Sequence, residues 1–440
     1  MADPGSRAFP SRALALLALL GAASMTWYHL GFFLPRMLQL RAESGVSAGY
    51  SFGDDFYPIW LSIRQWRAEH TDLYSAQMTR EIQSGLFGRP LDPHNPNDPP
   101  SDYRQFAYPA FTDLLLWPTA SLDFPTLRVV LIILLPALTI ASIWLWMLAL
   151  DWHLNPLEFS LLTVLTLCTY ELLEAFFAEQ PGLLVNFFLA AGSLALRRNR
   201  LVLAGAILSL TLIKPQMSAL ALLYLLLWSL SDRRRIRFLI GFLAVTGTLL
   251  LSSMWIWPGW IMAWTRILFG YHRYAMPPLI SVLLGSGTHP SVGLALIGLC
   301  LALGVLLAWR NRRADAVSPR FWLTLSLLLA IASVALLPGQ AVYDHVILIP
   351  AILLLLRYHR ELRVSGPVPR ALLSIAVAVL VWPWISSFLL IASRPLLGAR
   401  FYSTPIFTLP IRTAASLPFM ALALLAYALR IIPSRHRELA

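Results

Sequence analysis

The stretch Thr126–Leu150, TLRVVLIILLPALTIASIWLWMLAL, is apolar almost throughout. At about 1.5 Å per residue, a helix of this length covers a hydrocarbon core of about 30 Å. Lipid offers open backbone groups no partner, so a segment of this kind is helical. Comparable runs recur towards the C-terminus, among them Phe238–Trp257, Ser291–Trp309, Ala371–Ile391 and Ile411–Ile432. Of the 440 residues 58% are hydrophobic and 13% charged, against roughly 25% charged in a soluble domain. The chain therefore reads as an all-α polytopic membrane protein.

The net charge of +12 is carried mostly by arginines that punctuate the apolar runs. That is the pattern of cytoplasmic loops, and it leaves no basic face for nucleic acid. Cys168 and Cys300 lie inside apolar runs and read as small buried hydrophobes, without a disulfide framework or a metal site. The first run, Ala13–Leu34, exceeds a signal-peptide core of about 7–15 residues and reads as an uncleaved helix.

Basic clusters at Arg197–Arg200, Arg233–Arg237, Arg310–Arg313, Arg357–Arg360 and Arg435–Arg437 set the topology. If all are cytoplasmic, an even number of crossings separates neighbours. Leu201–Ile213 pairs with Pro215–Leu230, Phe238–Trp257 with Ser291–Trp309, Phe321–Leu337 with Ala341–Leu356, and Ala371–Ile391 with Ile411–Ile432. Upstream, Thr126–Leu150, Leu157–Phe177 and Gly182–Leu196 bring the chain back to the cytoplasm. The expectation is about twelve crossings in the plasma (inner) membrane with both termini cytoplasmic. Residues 1–440 form a single integral membrane domain, and Pro35–Pro125, Ala178–Pro181, Pro258–Pro290, Pro338–Gln340 and Ala392–Pro410 lie outside.

The first outer loop, residues 35–125, differs from the rest of the chain. It holds Asp54, Asp55, Asp72, Glu81, Asp92, Asp98, Asp102 and Asp113. Phe56–Glu69 and Ser75–Phe87 read as short helices, and Tyr108–Thr119 as a helix at or dipping into the interface. A carboxylate at Asp54 or Asp55 can act as general base on an interfacial substrate, or it can cap the helix that follows. Tyr57, Trp60 and Tyr108 can stack on a sugar ring or sit among headgroups. Arg266, His272, Arg273, Arg394 and Arg400 are basic residues in outer loops, where few are expected. They can clamp a phosphate, or touch headgroups and the acidic loop. Lys214 lies between two short apolar helices, so it either serves a site or snorkels to the interface. His345 beside Asp344 can orient a phosphate or an acceptor, or form a local hydrogen bond.

Asp55-Phe56 soon after the first helix, then Tyr74, then Phe106-Ala107-Tyr108-Pro109 leading to Pro118, resemble glycosyltransferase family 87. Glu179-Gln180-Pro181-Gly182 through Asn186 resembles its Gly-Gln-x-Asn turn, and Ile213-Lys214-Pro215-Gln216 its Lys-Pro turn. Tyr343-Asp344-His345 resembles a late segment of the family. The similarity runs from about Gly53 to Arg360. Glu179 stands where the family has Gly, and Asp54 doubles the acidic position. The resemblance implies a GT-C fold and a polyprenyl-phosphate-mannose-dependent mannosyltransferase of the cell envelope. It implies Asp55 as base, with Gln180, Lys214, Asp344 and His345 at the substrate. The partners implied are membrane lipids, a lipid-phosphate sugar donor and a lipid or glycan acceptor. No cofactor is firmly implied, and a divalent cation on Asp54 and Asp55 stays open. The rival readings are a transporter or flippase, and a scaffold in envelope assembly.

The topology has a direct test. Ser101→Cys and Ser286→Cys react with a membrane-impermeant thiol reagent in intact cells, whereas Ser231→Cys does not. Labelling at position 231 with protection at 101 would reverse the orientation.

Overall fold

Length sorts the helices into two kinds. The computed structural model describes residues 12–43, 55–92, 94–95, 98, 103–271, 275–282, 289–403 and 405–438. Over these the chain is helical, and an isolated bridge between Pro278 and Pro338 is the extended pairing seen among the described residues. Six helices are long and apolar enough to cross a membrane: Ala15–Leu40, Phe124–Ala149, Arg233–Ile256, Pro290–Asn311, Pro367–Leu397 and Ile406–Ile432. Pro156–Leu167 and Tyr170–Phe177 are apolar enough only together and are bent by 64° at the break, as in a broken span or a re-entrant loop. Gly182–Arg197, Leu201–Ile213, Pro215–Leu230 and Pro319–Ala335 are apolar but shorter. The protein is a multi-pass helical membrane protein.

Burial follows the same division. Ile236–Ile256 buries only Phe238, Gly241, Phe242 and Ser253, and Pro290–Asn311 only Gly293, Gly304, Ala308 and Asn311. Their large apolar side chains, Leu251 and Trp255 among them, face outward. Pro290–Asn311 turns small and polar residues inward and bulky ones outward, the signature of a lipid-facing helix, and Ile236–Ile256 does so apart from its two buried phenylalanines. In Pro319–Ala335, by contrast, every residue from Phe321 to Ala335 is buried. The short helices thus form the interior and several of the long ones surround them.

Local sequence explains where the structure departs from the expected segments. The first helix does not stop at Leu34 but runs on to Glu43. A π-turn over His29–Phe33, with the Leu34 N–H bonded to His29 O, carries it through Pro35. Leu157–Phe177 is broken at Cys168, because the Thr169 side chain accepts from Leu172 N and starts a new helix. Tyr108–Thr119 shrinks to Phe111–Leu116 followed by a 3-10 turn at Trp117–Ser121, which holds Pro118. Ala341–Leu356 begins as a 3-10 helix, Val342–Leu348, before the α-helix Ile349–Arg357. In the acidic segment, Tyr57–Glu69 and Ala76–Phe87 are helices, and the latter is capped by Ser75. Arg89 grips Asp98 after them and holds that carboxyl down at about 2.

The helices Leu201–Ser209 and Ile236–Ile256 make the most extensive crossing. A Cβ on Gly205 would lie 2.0 Å from Phe238 O, and one on Gly241 would lie 2.0 Å from Val202 O. Backbone cannot yield as a flexible side chain can. Gly205→Val and Gly241→Val are therefore expected to destabilise the protein by about 1–3 kcal/mol or more. Gly247→Val, which would meet nothing within 4 Å, should leave the melting temperature in detergent unchanged.

Candidate active site

The helix Tyr170–Phe177 ends in a tight reversal. Gln180 N–H bonds to Ala175 O at 2.9 Å and Glu179 N–H to Phe176 O at 3.2 Å. This is the Schellman closure, which puts the residue after the cap in the left-handed region. That residue is Glu179, with φ at +49°. Glycine suits this place, and a residue with a side chain costs about 1–2 kcal/mol there. The family's glycine before the glutamine therefore has a backbone reason. In this chain a glutamate stands there, and its carboxylate has work: Arg128 Nε reaches Glu179 Oε1 at 3.2 Å.

Two more ion pairs meet the same turn. Asp55 N–H donates to Ala178 O at 3.2 Å, and the Asp55 carboxylate pairs with Arg104. Gln180 Oε1 accepts from Lys214 Nζ at 3.1 Å, and Lys214 Nζ contacts both Asp344 oxygens at 2.7 and 2.9 Å. Lys214 precedes a proline, which keeps it out of helical geometry and breaks the chain at that point. Gly182 lets Asp344 in, since a Cβ there would stand 2.6 Å from Asp344 Oδ1. Asp55 is near enough to Asp344 to act on it electrostatically.

Hydrogen bonds tie the acidic segment to this turn. The Tyr74 hydroxyl donates to Tyr108 O at 2.8 Å, and the Tyr108 hydroxyl to Asp55 O at 3.3 Å. Trp264 Nε1 donates to Ala107 O at 3.0 Å. Beneath them Asp113 is fully buried and accepts from the Ser62 hydroxyl at 2.8 Å. Burial pushes its carboxyl well above the usual range, and its bond to Ser62 joins the helices Tyr57–Glu69 and Phe111–Leu116.

Asp55, Tyr108, Gln180, Lys214 and Asp344 are thus drawn together from distant parts of the chain. Asp55 does not cap the following helix: the cap is Phe56, with no side-chain bond. Asp344 pairs with Lys214, and His345, next to it, is buried with Nδ1 left without a partner. Tyr57 and Trp60 are not at the turn. They share a helix face and pack on Phe124, and Trp60 Nε1 donates to Leu122 O. Arg400 is exposed on the 3-10 turn Gly398–Ser403. Asp54, His272 and Arg273 lie outside the described residues. No group of three or more His, Cys, Asp or Glu placed to hold a metal ion occurs among the described residues.

The sequence model of glycosyltransferase family 87 matches residues 106–338, just over half of the chain. The chain belongs to this family. It is a membrane glycosyltransferase. The match spans Tyr108, Arg128, the Glu179–Gly182 turn and Lys214, and leaves Asp55, Arg104 and Asp344 to either side of it. No curated protein and no solved structure matches the chain significantly.

Sequence reasoning missed Arg104 and Arg128 in this transferase. Arg128 carried a signal, since it is the sole charged residue of the apolar helix Phe124–Ala149, and an ionisable group in such a helix asks for a function. Arg104 carried none beyond its place just before the Phe106–Pro109 motif.

Removing one partner of a buried ion pair strands the other charge and costs about 3–5 kcal/mol. Lys214→Met should lower the melting temperature by that measure. The double variant Lys214→Met/Asp344→Leu should recover much of the loss and still lack activity. A double variant no more stable than the single one would show that the pair is not the reason Lys214 matters to the fold.

Proposed function

We propose that this transferase moves a sugar, mannose by the family resemblance, from a polyprenyl-phosphate donor to a hydroxyl of a lipid or glycan. The reaction takes place at the outer face of the plasma membrane, in a GT-C-type bundle of about twelve crossings with both termini cytoplasmic. The observation that carries this reading is Asp55, a partly exposed carboxylate bound to the turn by its own N–H and paired with Arg104.

The chemistry asks little of the protein. A polyprenyl phosphate is a competent leaving group, so a strong general acid is not needed. One carboxylate takes the proton of the acceptor hydroxyl. Cations stabilise the charge that develops on the phosphate. A single base acting opposite the leaving group gives inversion by one displacement. Asp55 serves as that base; Arg104 pairs with it, and Arg128 and Lys214 are the cations bonded to Glu179 and Gln180 of the same turn. Polar groups spread along a crossing path would suit a transporter better; here the ion pairs gather on one turn.

The test is to incubate the purified protein with a panel of radiolabelled polyprenyl-phosphate sugars and membrane-lipid acceptors. Asp55→Asn should retain fold and expression and lose about 10²–10⁴-fold in transfer, with Asp54→Asn milder. Near-normal transfer by Asp55→Asn would place the base elsewhere. Lack of transfer from every lipid-phosphate sugar would remove the donor class.

A further inference from the structure

Each of the three cations at the turn faces a carboxylate: Arg104 with Asp55, Arg128 with Glu179 and Lys214 with Asp344. The formal charges cancel. A phosphate entering here meets cations that are already engaged, so one pair must exchange partners before the anion can bind. Exposure separates the pairs. The side chains of Lys214 and Asp344 keep 9% and 3% of their exposure, and Gln180 adds a further contact. Glu179 keeps 2% and is fixed by the left-handed turn. Arg104 and Asp55 keep 24% and 13%, and theirs is the pair open at both ends. Asp55 is anchored through its backbone, by Ala178 O and the Tyr108 hydroxyl, so the pair can part without displacing the carboxylate.

We propose that Arg104 is a latch on Asp55 that the donor phosphate releases. The guanidinium pairs with the carboxylate. When the lipid binds, the guanidinium passes to the phosphate, and the carboxylate is left to the acceptor hydroxyl. The proposal rests on the lipid-phosphate donor argued above and gives that site its order of events.

The charge flow of the reaction fits such an exchange. The acceptor oxygen forms a bond to the anomeric carbon as the bond from that carbon to the phosphate oxygen breaks. The breaking bond leaves its electron pair on the phosphate, and the acceptor proton goes to Asp55. Negative charge disappears from the carboxylate and appears on the phosphate, where a phosphodiester monoanion becomes a phosphomonoester dianion. A guanidinium that begins on one and ends on the other follows the charge. Its fork fits carboxylate and phosphate oxygens alike.

The experiment uses the full chain in nanodiscs, titrated with a polyprenyl monophosphate, with melting temperatures measured alongside. Asp55→Asn removes the competitor for Arg104 and should bind this lipid roughly 10-fold more tightly, or better. Arg104→Ala should bind it about 10–150-fold more weakly, the loss of one charge-assisted contact. Arg104→Lys should fall between, since it keeps the charge without the fork. The double variant should match Arg104→Ala, because the carboxylate acts only through the arginine. Asp55→Asn decides the matter even if Arg104→Ala fails to fold. Wild-type-like or weaker binding by Asp55→Asn overturns the latch and leaves the donor standing. Failure of the wild-type protein to bind the lipid at all removes the donor class and the latch with it.

Discussion

Between Phe177 and Gly182 the chain reverses by closing a helix on a left-handed residue, and the three ion pairs are built on that reversal. The closure occupies the carbonyls of Ala175 and Phe176 and leaves that of Ala178 for Asp55. It aims the side chain of residue 179 back at Phe124–Ala149, where Arg128 waits. It aims Gln180 forward at Lys214. A glycine would make the turn more easily, but it would bring no carboxylate to Arg128. The glutamate is a local backbone conflict held in place by an ion pair, which is how strain persists at working sites.

Much of the fold could be read from charge and length. The arginine clusters mark the ends of apolar segments closely: Gly182–Leu196 and Pro215–Leu230 come within a residue of the observed helices. The breaks were less legible. The cap at Thr169 is a single local side-chain bond inside an apolar run, and the 3-10 start at Val342 has no side-chain cap to mark it. Lys214 and Asp344 are 130 positions apart, and only the packed bundle shows that each answers the other.

Tyr57 and Trp60 sit beside an acidic pair, and both suggest a sugar platform. Three residues apart on a helix, they share a face, and that face turns to Phe124. A sequence states that a helix has an apolar side but not what that side meets. Tyr108 meets Asp55 instead, through a hydrogen bond from its hydroxyl to the backbone carbonyl.

The interior position of the short helices follows from the chemistry they carry. Residues 178–181, the 3-10 turn Leu210–Ile213 and the 3-10 segment Val342–Leu348 all interrupt regular α-helix. Irregular backbone is tolerated at membrane depth only where protein or a water-filled cavity covers it. Neighbouring helices supply that cover: Val342–Leu348 packs on Gly182–Arg197 and Pro319–Ala335, and Leu210–Ile213 on Gly182–Arg197 and Pro215–Leu230. Ile236–Ile256 and Pro290–Asn311 turn most of their bulky side chains outward, while Phe238 and Phe242 stay buried. Gly205 and Gly241 let Leu201–Ser209 and Ile236–Ile256 approach to backbone contact. The broken segments place Gln180, Lys214 and Asp344 side by side. Lys214 and Asp344 are paired, while Asp55 keeps some exposure to solvent. Charges enclosed by the bundle must neutralise each other, whereas Asp55 is less enclosed and its backbone is held by Ala178 O and the Tyr108 hydroxyl.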